Sequence, residues 1–363
     1  MLLTFAPFCI SFLISLTLML GLRPVAKQLG LIDVPGGRKM HSGEVPVIGG
    51  LAMLGATLAA VLAMGVSGAG EAAMLVAAAL MVLVGALDDR FDLAPYVRIL
   101  AHVAAAVTLV MASGLTVESF GDLLGMGQIS LGPLDFIFTT VATIALINGF
   151  NMLDGLDGLA GGVAFVALAG LSYYFFDGTG HGAALVVSLS LLGAVLGFMV
   201  FNLPARYNRS LLAFMGDSGS TLLGFALAGL SLIAIQPMGE GLPPVVILWL
   251  MPVPIIELFT STFRRAMTGL SPMQADRGHF HHRLLDAGFA VRAIFLIYLF
   301  VSVVSAVIGI VAWQLGVGES VMFYAFVFLS AVWLLATRNA HTLVRLLPGT
   351  LRRADRRRQR SVA

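Results

Sequence analysis

Ala183-Ala-Leu-Val-Val-Ser-Leu-Ser-Leu-Leu-Gly-Ala-Val-Leu-Gly-Phe-Met-Val-Phe-Asn202 runs for twenty residues without a charge. A helix rises 1.5 Å per residue, so the run is about 30 Å long, the thickness of bilayer hydrocarbon. Eleven such runs are read along the chain, at 2–22, 46–66, 72–87, 97–114, 134–150, 159–176, 183–202, 218–236, 244–263, 292–314 and 320–337. The third and fifth are short, and merging them differently leaves ten. Of the 363 residues, 59% are hydrophobic and 11% charged, whereas soluble domains carry about 25% charged residues. No water-soluble fold hides that much apolar surface. The expected fold class is all-α, a polytopic bundle of transmembrane helices, and the 41 glycines suit close helix approach.

Eleven spans put the N-terminus outside and the C-terminus in the cytoplasm. All 21 Lys and Arg then fall in or beside the connections near 23–45, 88–96, 151–158, 203–217, 264–291 and 338–363. The opposite loops carry Glu71, Glu118, Asp122, Asp135, Asp177, Glu240 and Glu319 and no cation. That is the positive-inside pattern without exception. Residues 2–22 lack a basic leader and a cleavage site, so they are expected to be a span rather than a signal peptide. The only cysteine, Cys9, excludes an intrachain disulfide and a Cys-based zinc site. Residues 1–340 are expected to be one membrane domain. The basic tail, 341–363, is expected to anchor to anionic lipid and not to bind nucleic acid.

The acidic residues on the cytoplasmic side are unusual. Asp88-Asp89-Arg90-Phe91-Asp92 ends the third run. Asn148-Gly-Phe-Asn151-Met-Leu-Asp154-Gly-Leu-Asp157-Gly158 follows the fifth, and Phe214-Met-Gly-Asp217-Ser218-Gly-Ser220 precedes the eighth. Two carboxylates 4 Å apart repel by about 4 kcal/mol at an effective dielectric of 20. If they converge, they must protonate, pair with arginine or hold a divalent cation. Asp and Asn oxygens are hard ligands that suit Mg²⁺, an ion that shares its shell with water and substrate phosphate. Ser218 is expected to cap the helix that follows it. Cations gather in the first loop, at Arg38, Lys39 and His41, and in the fifth, at Arg277, His279, His281, His282 and Arg283. The three histidines invite a zinc site, but flanking arginines oppose a dication, and contact with phosphate is the favoured reading. His102 and His181 read as structural, and His341 as a surface residue. Glu257, inside the ninth run, needs a partner.

Five motifs in this order resemble the polyprenyl-phosphate N-acetylhexosamine-1-phosphate transferases. They are Arg38-Lys-x-His41 with Pro46 and Gly49-Gly50, Asp88-Asp89-Arg-Phe-Asp92, Asn148-x-x-Asn151-x-x-Asp154-Gly-x-Asp157-Gly, Phe214-Met-Gly-Asp217-x-Gly-Ser220 and Asp276-Arg-x-His279-x-His281-His282. The likeness reaches to about residue 340 and is strongest to the bacterial N-acetylglucosamine branch. It implies transfer of N-acetylhexosamine 1-phosphate from a UDP-sugar to undecaprenyl phosphate at the inner membrane. UMP leaves, and the product opens a cell-surface polysaccharide pathway. The cofactor it implies is Mg²⁺, with Mn²⁺ as a substitute. Asp217 and Asp88 are implied as metal ligands, and Asp88, Asp89, Asp154 and Asp157 as catalytic residues. Arg38, Lys39, His41, Asn148, Asn151, Phe214, Arg277, His279, His281 and His282 are implied to bind substrate, Phe214 by stacking on uracil. Other readings are the peptidoglycan branch, which transfers phospho-N-acetylmuramoyl-pentapeptide, and a polyprenyl-lipid transporter. The sugar, the downstream polymer, a covalent versus one-step route and a homodimer are left open. The family usually has aspartate where Glu257 stands.

Overall fold

The computed structural model describes residues 3–34, 43–66, 68–176, 181–204, 212–236, 241–268 and 279–338. Arg38, Lys39, His41, Arg277 and the basic tail from 339 onward lie outside the described residues. Among the described residues there are thirteen α-helices: α1 Ala6–Leu29, α2 Gly49–Ala63, α3 Ala69–Phe91, α4 Pro95–Ser113, α5 Asp135–Leu153, α6 Leu159–Phe176, α7 Gly182–Asn202, α8 Gly216–Ile235, α9 Pro244–Leu250, α10 Pro252–Thr268, α11 Phe280–Ala287, α12 Val291–Gln314 and α13 Glu319–Arg338. The β-structure described is slight: Ile32 pairs with Pro46 and Asp33 with Val45 in an antiparallel two-stranded sheet.

Nine of these helices are long and apolar enough to cross a membrane, and α9 with α10 makes up to ten. That agrees with ten, the lower expected count, although the third and fifth runs, read as short, form the full-length α3 and α5. Two runs behave differently from the rest. Run 46–66 forms only the 15-residue α2, about 22 Å long by helical rise. Its first residues are drawn off into extended pairing, where Pro46 accepts a hydrogen bond from the Phe214 N–H at 2.8 Å. Run 244–263 breaks at Met251, and its halves diverge by 91°. Pro252 has no N–H to give, and its ring opposes helical conformation in the residue before it, so the chain bends there.

α8 is the axis of the bundle and is buried along nearly its whole length. It packs against α3 on one side and α5 on another, while α1 lies along α7 and α6 between α7 and α12. α13 has most of its surface exposed, as expected of a helix facing lipid. Because consecutive spans alternate in direction, the C-terminal ends of α3, α5 and α7 share one end of the bundle with the N-terminal ends of α4 and α8. The acidic motifs all lie at that end.

Candidate active site

The chain enters α8 through a tight turn. Gly49 and Gly50 donate their N–H groups to the carbonyls of Phe214 (3.1 Å) and Met215 (3.2 Å), which holds the approach to α8 against the start of α2. Gly216 then turns at φ +75°, a conformation that favours glycine. A β-carbon there would lie 2.5 Å from an oxygen of Asp89. That oxygen is committed elsewhere. Asp89, in the last turn of α3, accepts the N–H of Asp217 at 2.8 Å and both the N–H (3.2 Å) and hydroxyl (2.9 Å) of Ser218. The cap of α8 is therefore Asp89, supplied from another helix, rather than Ser218. An anionic acceptor suits the positive end of a helix dipole better than a hydroxyl does.

Asp88 is about 100° around α3 from Asp89 and faces other partners. Asp92 ends α3 in the left-handed region at φ +50°, and the turn brings the Leu93 N–H to within 2.7 Å of Asp88 Oδ1. Arg98, in the first turn of α4, places Nη1 3.2 Å from Asp88 Oδ2 and 3.7 Å from Asp217 Oδ2. Both carboxyls therefore face the one guanidinium. Asn151, near the end of α5, donates to Asp217 Oδ1 at 2.5 Å and to Ser220 Oγ at 3.1 Å. Four helices thus meet at one carboxylate pair. Arg98 was not singled out from sequence; its signal was a lone cation in the first turn of a span, ten residues past an Asp-Asp pair.

Asp154 follows α5 directly. Desolvation raises its carboxyl well above the usual carboxylate range, and the charges of Asp217, Asp89 and Asp157 add to the rise. The turn carrying Asp154 and Asp157 is tied down by Asn202, another residue the sequence did not flag. Its Oδ1 accepts the Gly158 N–H at 2.7 Å, and its amide donates to the Ala213 carbonyl at 2.8 Å. One side chain at the end of α7 thereby links two motif loops. Asn148 donates back to the Ile144 carbonyl of its own helix at 2.9 Å. Phe214 is half-buried and held by its backbone.

The histidine motif reaches the same end from α11. His279 and His281 are buried, with their rings stacked 5.7 Å apart, and His282 packs on His281 at 4.3 Å. Glu257 finds its partners here: it accepts the Phe280 N–H at 3.0 Å and the Tyr298 hydroxyl at 3.1 Å.

Among the described residues, no three His, Cys, Asp or Glu side chains converge as a metal site. Mg²⁺ is held by one or two carboxylates and completes its shell with water and phosphate, and Asp88 with Asp217 would be the pair to hold it. The guanidinium of Arg98 faces both members of the pair in this structure.

The profile of glycosyl transferase family 4 matches residues 72–235, the stretch that holds Asp88, Asp89, Asn151, Asp154 and Asp157 together with Asp217. The undecaprenyl-phosphate alpha-N-acetylglucosaminyl 1-phosphate transferase of Haemophilus influenzae is 34% identical over 348 residues, covering 96% of this chain and 98% of that protein. The protein of the same name from Pasteurella multocida is 33% identical over 347 residues, covering 96% and 97%. The one from Escherichia coli K12 is 32% identical over 338 residues, covering 93% and 91%. With likeness running end to end and the motif residues gathered at one site, the chain belongs to glycosyl transferase family 4, alongside these bacterial transferases.

Proposed function

We propose that the protein transfers N-acetylglucosamine 1-phosphate from UDP-N-acetylglucosamine to undecaprenyl phosphate, releasing UMP and leaving a lipid-linked diphosphosugar. The observation that carries this reading is the meeting of Asp88, Asp217, Arg98 and Asn151, from four helices, at one end of an apolar bundle. The relatives' shared name supports the acceptor and the transferred group. The UDP donor and Mg²⁺ rest on the family resemblance and on the oxygen-rich site. The positive-inside charge pattern argues that this end faces the cytoplasm, with the protein in the bacterial inner membrane.

An oxygen of the lipid phosphate attacks the β-phosphorus of the donor. The new P–O bond forms as the bond from that phosphorus to the bridging oxygen breaks, and UMP departs with the electron pair. A phosphate monoester with a second pKa near 6 is largely dianionic at neutral pH, so no base is obligatory, and positioning with charge neutralisation dominates. Asp88 and Asp217 would hold Mg²⁺, which supplies neutralisation of the diphosphate when bound. Asn151 fixes the orientation of Asp217. Arg98, beside both carboxylates, is placed to move onto a phosphate oxygen. Asp154, kept toward its protonated form, can donate a hydrogen bond to phosphate instead of repelling it.

The test is detergent-purified protein with undecaprenyl phosphate, UDP-N-acetylglucosamine and Mg²⁺. UMP release is expected, abolished by EDTA and restored by Mg²⁺ or Mn²⁺. Release only with UDP-N-acetylmuramoyl-pentapeptide would move the protein to the peptidoglycan branch. No release with any UDP-sugar would favour a lipid transporter.

A further inference from the structure

Glu257 lies in α10 and is 2% exposed, a position where an unpartnered carboxylate is costly. Its two oxygens are shared among four groups. Oε1 accepts the Phe280 N–H, the first of α11, and the Tyr298 hydroxyl, and it faces His281 Nδ1 at 3.9 Å. Oε2 faces His279 Nδ1 at 3.4 Å. Tyr298 is itself fully buried, with its ring against Trp333 at 5.5 Å. The anchor is therefore rigid.

A carboxylate on the Nδ1 side of a histidine holds a proton on that nitrogen and favours the doubly protonated ring, in which Nε2–H is a donor as well. His281 Nε2 has no hydrogen-bond partner among the described residues, although the side chain is 1% exposed. That nitrogen lies against Gly155, so closely that a β-carbon there would be 2.7 Å away. Gly155 sits between Asp154 and Asp157. A buried, unpartnered ring nitrogen thus points at the turn that carries the acidic motif. The contacts at 3.4 and 3.9 Å are longer than ordinary hydrogen bonds, and such contacts tighten when a ligand fills a site.

We propose that Glu257 is a positioning residue: its carboxylate sets the His279–His281 pair so that the Nε2–H of a doubly protonated His281 donates to a phosphate oxygen of the donor beside the Asp154–Asp157 turn. This rests on the transferase reading above. Glu257→Gln keeps the size of the side chain but loses the charge and one acceptor. Its kcat/KM for UDP-N-acetylglucosamine is expected to fall about 10–100-fold, with KM for undecaprenyl phosphate unchanged within about twofold. Glu257→Asp, which keeps the charge, is expected to recover part of the loss. Because Glu257 acts through His281, the Glu257→Gln/His281→Gln double variant should be no worse than the poorer single one. Wild-type kcat/KM per folded molecule in Glu257→Gln would overturn the proposal, and so would losses that multiply in the double variant. Should Glu257→Gln fail to fold, Tyr298→Phe decides. It removes one bond to the carboxylate and keeps the ring packing, and a loss of about 3–10-fold that vanishes in the His281→Gln background is expected. An unchanged Tyr298→Phe would overturn the proposal. An inactive wild type overturns the transferase reading and this one with it, whereas an active wild type with an indifferent Glu257→Gln overturns this one alone.

Discussion

Asp217 takes a hydrogen bond from Asn151 on one oxygen and faces Arg98 with the other, so its charge and its orientation are separately controlled. Asp217→Asn keeps the shape and removes the charge. Its turnover is expected to fall by at least about 10²–10³-fold with unchanged insertion and thermal midpoint, and wild-type turnover would take Asp217 out of the site. Arg98→Ala leaves Asp88 and Asp217 facing each other without a counter-charge. The thermal midpoint in EDTA should drop, and Mg²⁺ should raise it more than it raises the wild type; equal Mg²⁺ shifts would show that arginine and metal do not share the pair. Asp154 adds a pH signature. Because its folded carboxyl titrates above the unfolded value, the stability it contributes is fully present below the unfolded pKa and is lost as pH rises through the folded one. In metal-free protein, Asp154→Asn is expected to be more stable than wild type at neutral pH and to lose less stability as pH rises from the ordinary carboxylate range. Thermal unfolding across pH measures both.

Two helices at this end start without a side-chain cap of their own and take one from a neighbour: α8 from Asp89 on α3, and α11 from Glu257 on α10. Helix packing and active-site placement are thereby the same contact. Asp89→Ala removes the acceptor for two backbone N–H groups and should cost about 1–2 kcal/mol of stability; Asp89→Asn, which keeps an oxygen, should cost less. Gly216→Ala forces a side chain into the left-handed region against Asp89 and is expected to cost at least about 1–2 kcal/mol, read as a lower thermal midpoint and reduced turnover. The same dependence on neighbours explains a misreading. From sequence, Ser218 was the nearest capping side chain, and nothing local announced that a carboxylate from another helix would take the role.

At the scale of the molecule, the acidic end and the loop 114–134 lie at opposite ends of α4. In a Cys9→Ser background, a cysteine at the exposed Met126 should react with an impermeant maleimide from the periplasmic side, and one at the exposed Tyr96 only after permeabilisation. The reverse labelling would invert the orientation read from the charges. The helical membrane architecture was legible in the sequence because bilayer thickness and the need to satisfy every backbone group dictate long apolar runs. The motif carboxylates were legible too, since charge beside apolar spans demands a reason. The short α2 and the bend at Met251 were not, because pairing of residue 46 with residue 214 and the direction of a proline bend depend on what lies alongside. Arg98, Asn202 and the partners of Glu257 were equally hidden. Each acts across helices distant in sequence, and only packing decides which polar groups share a space that water does not fill.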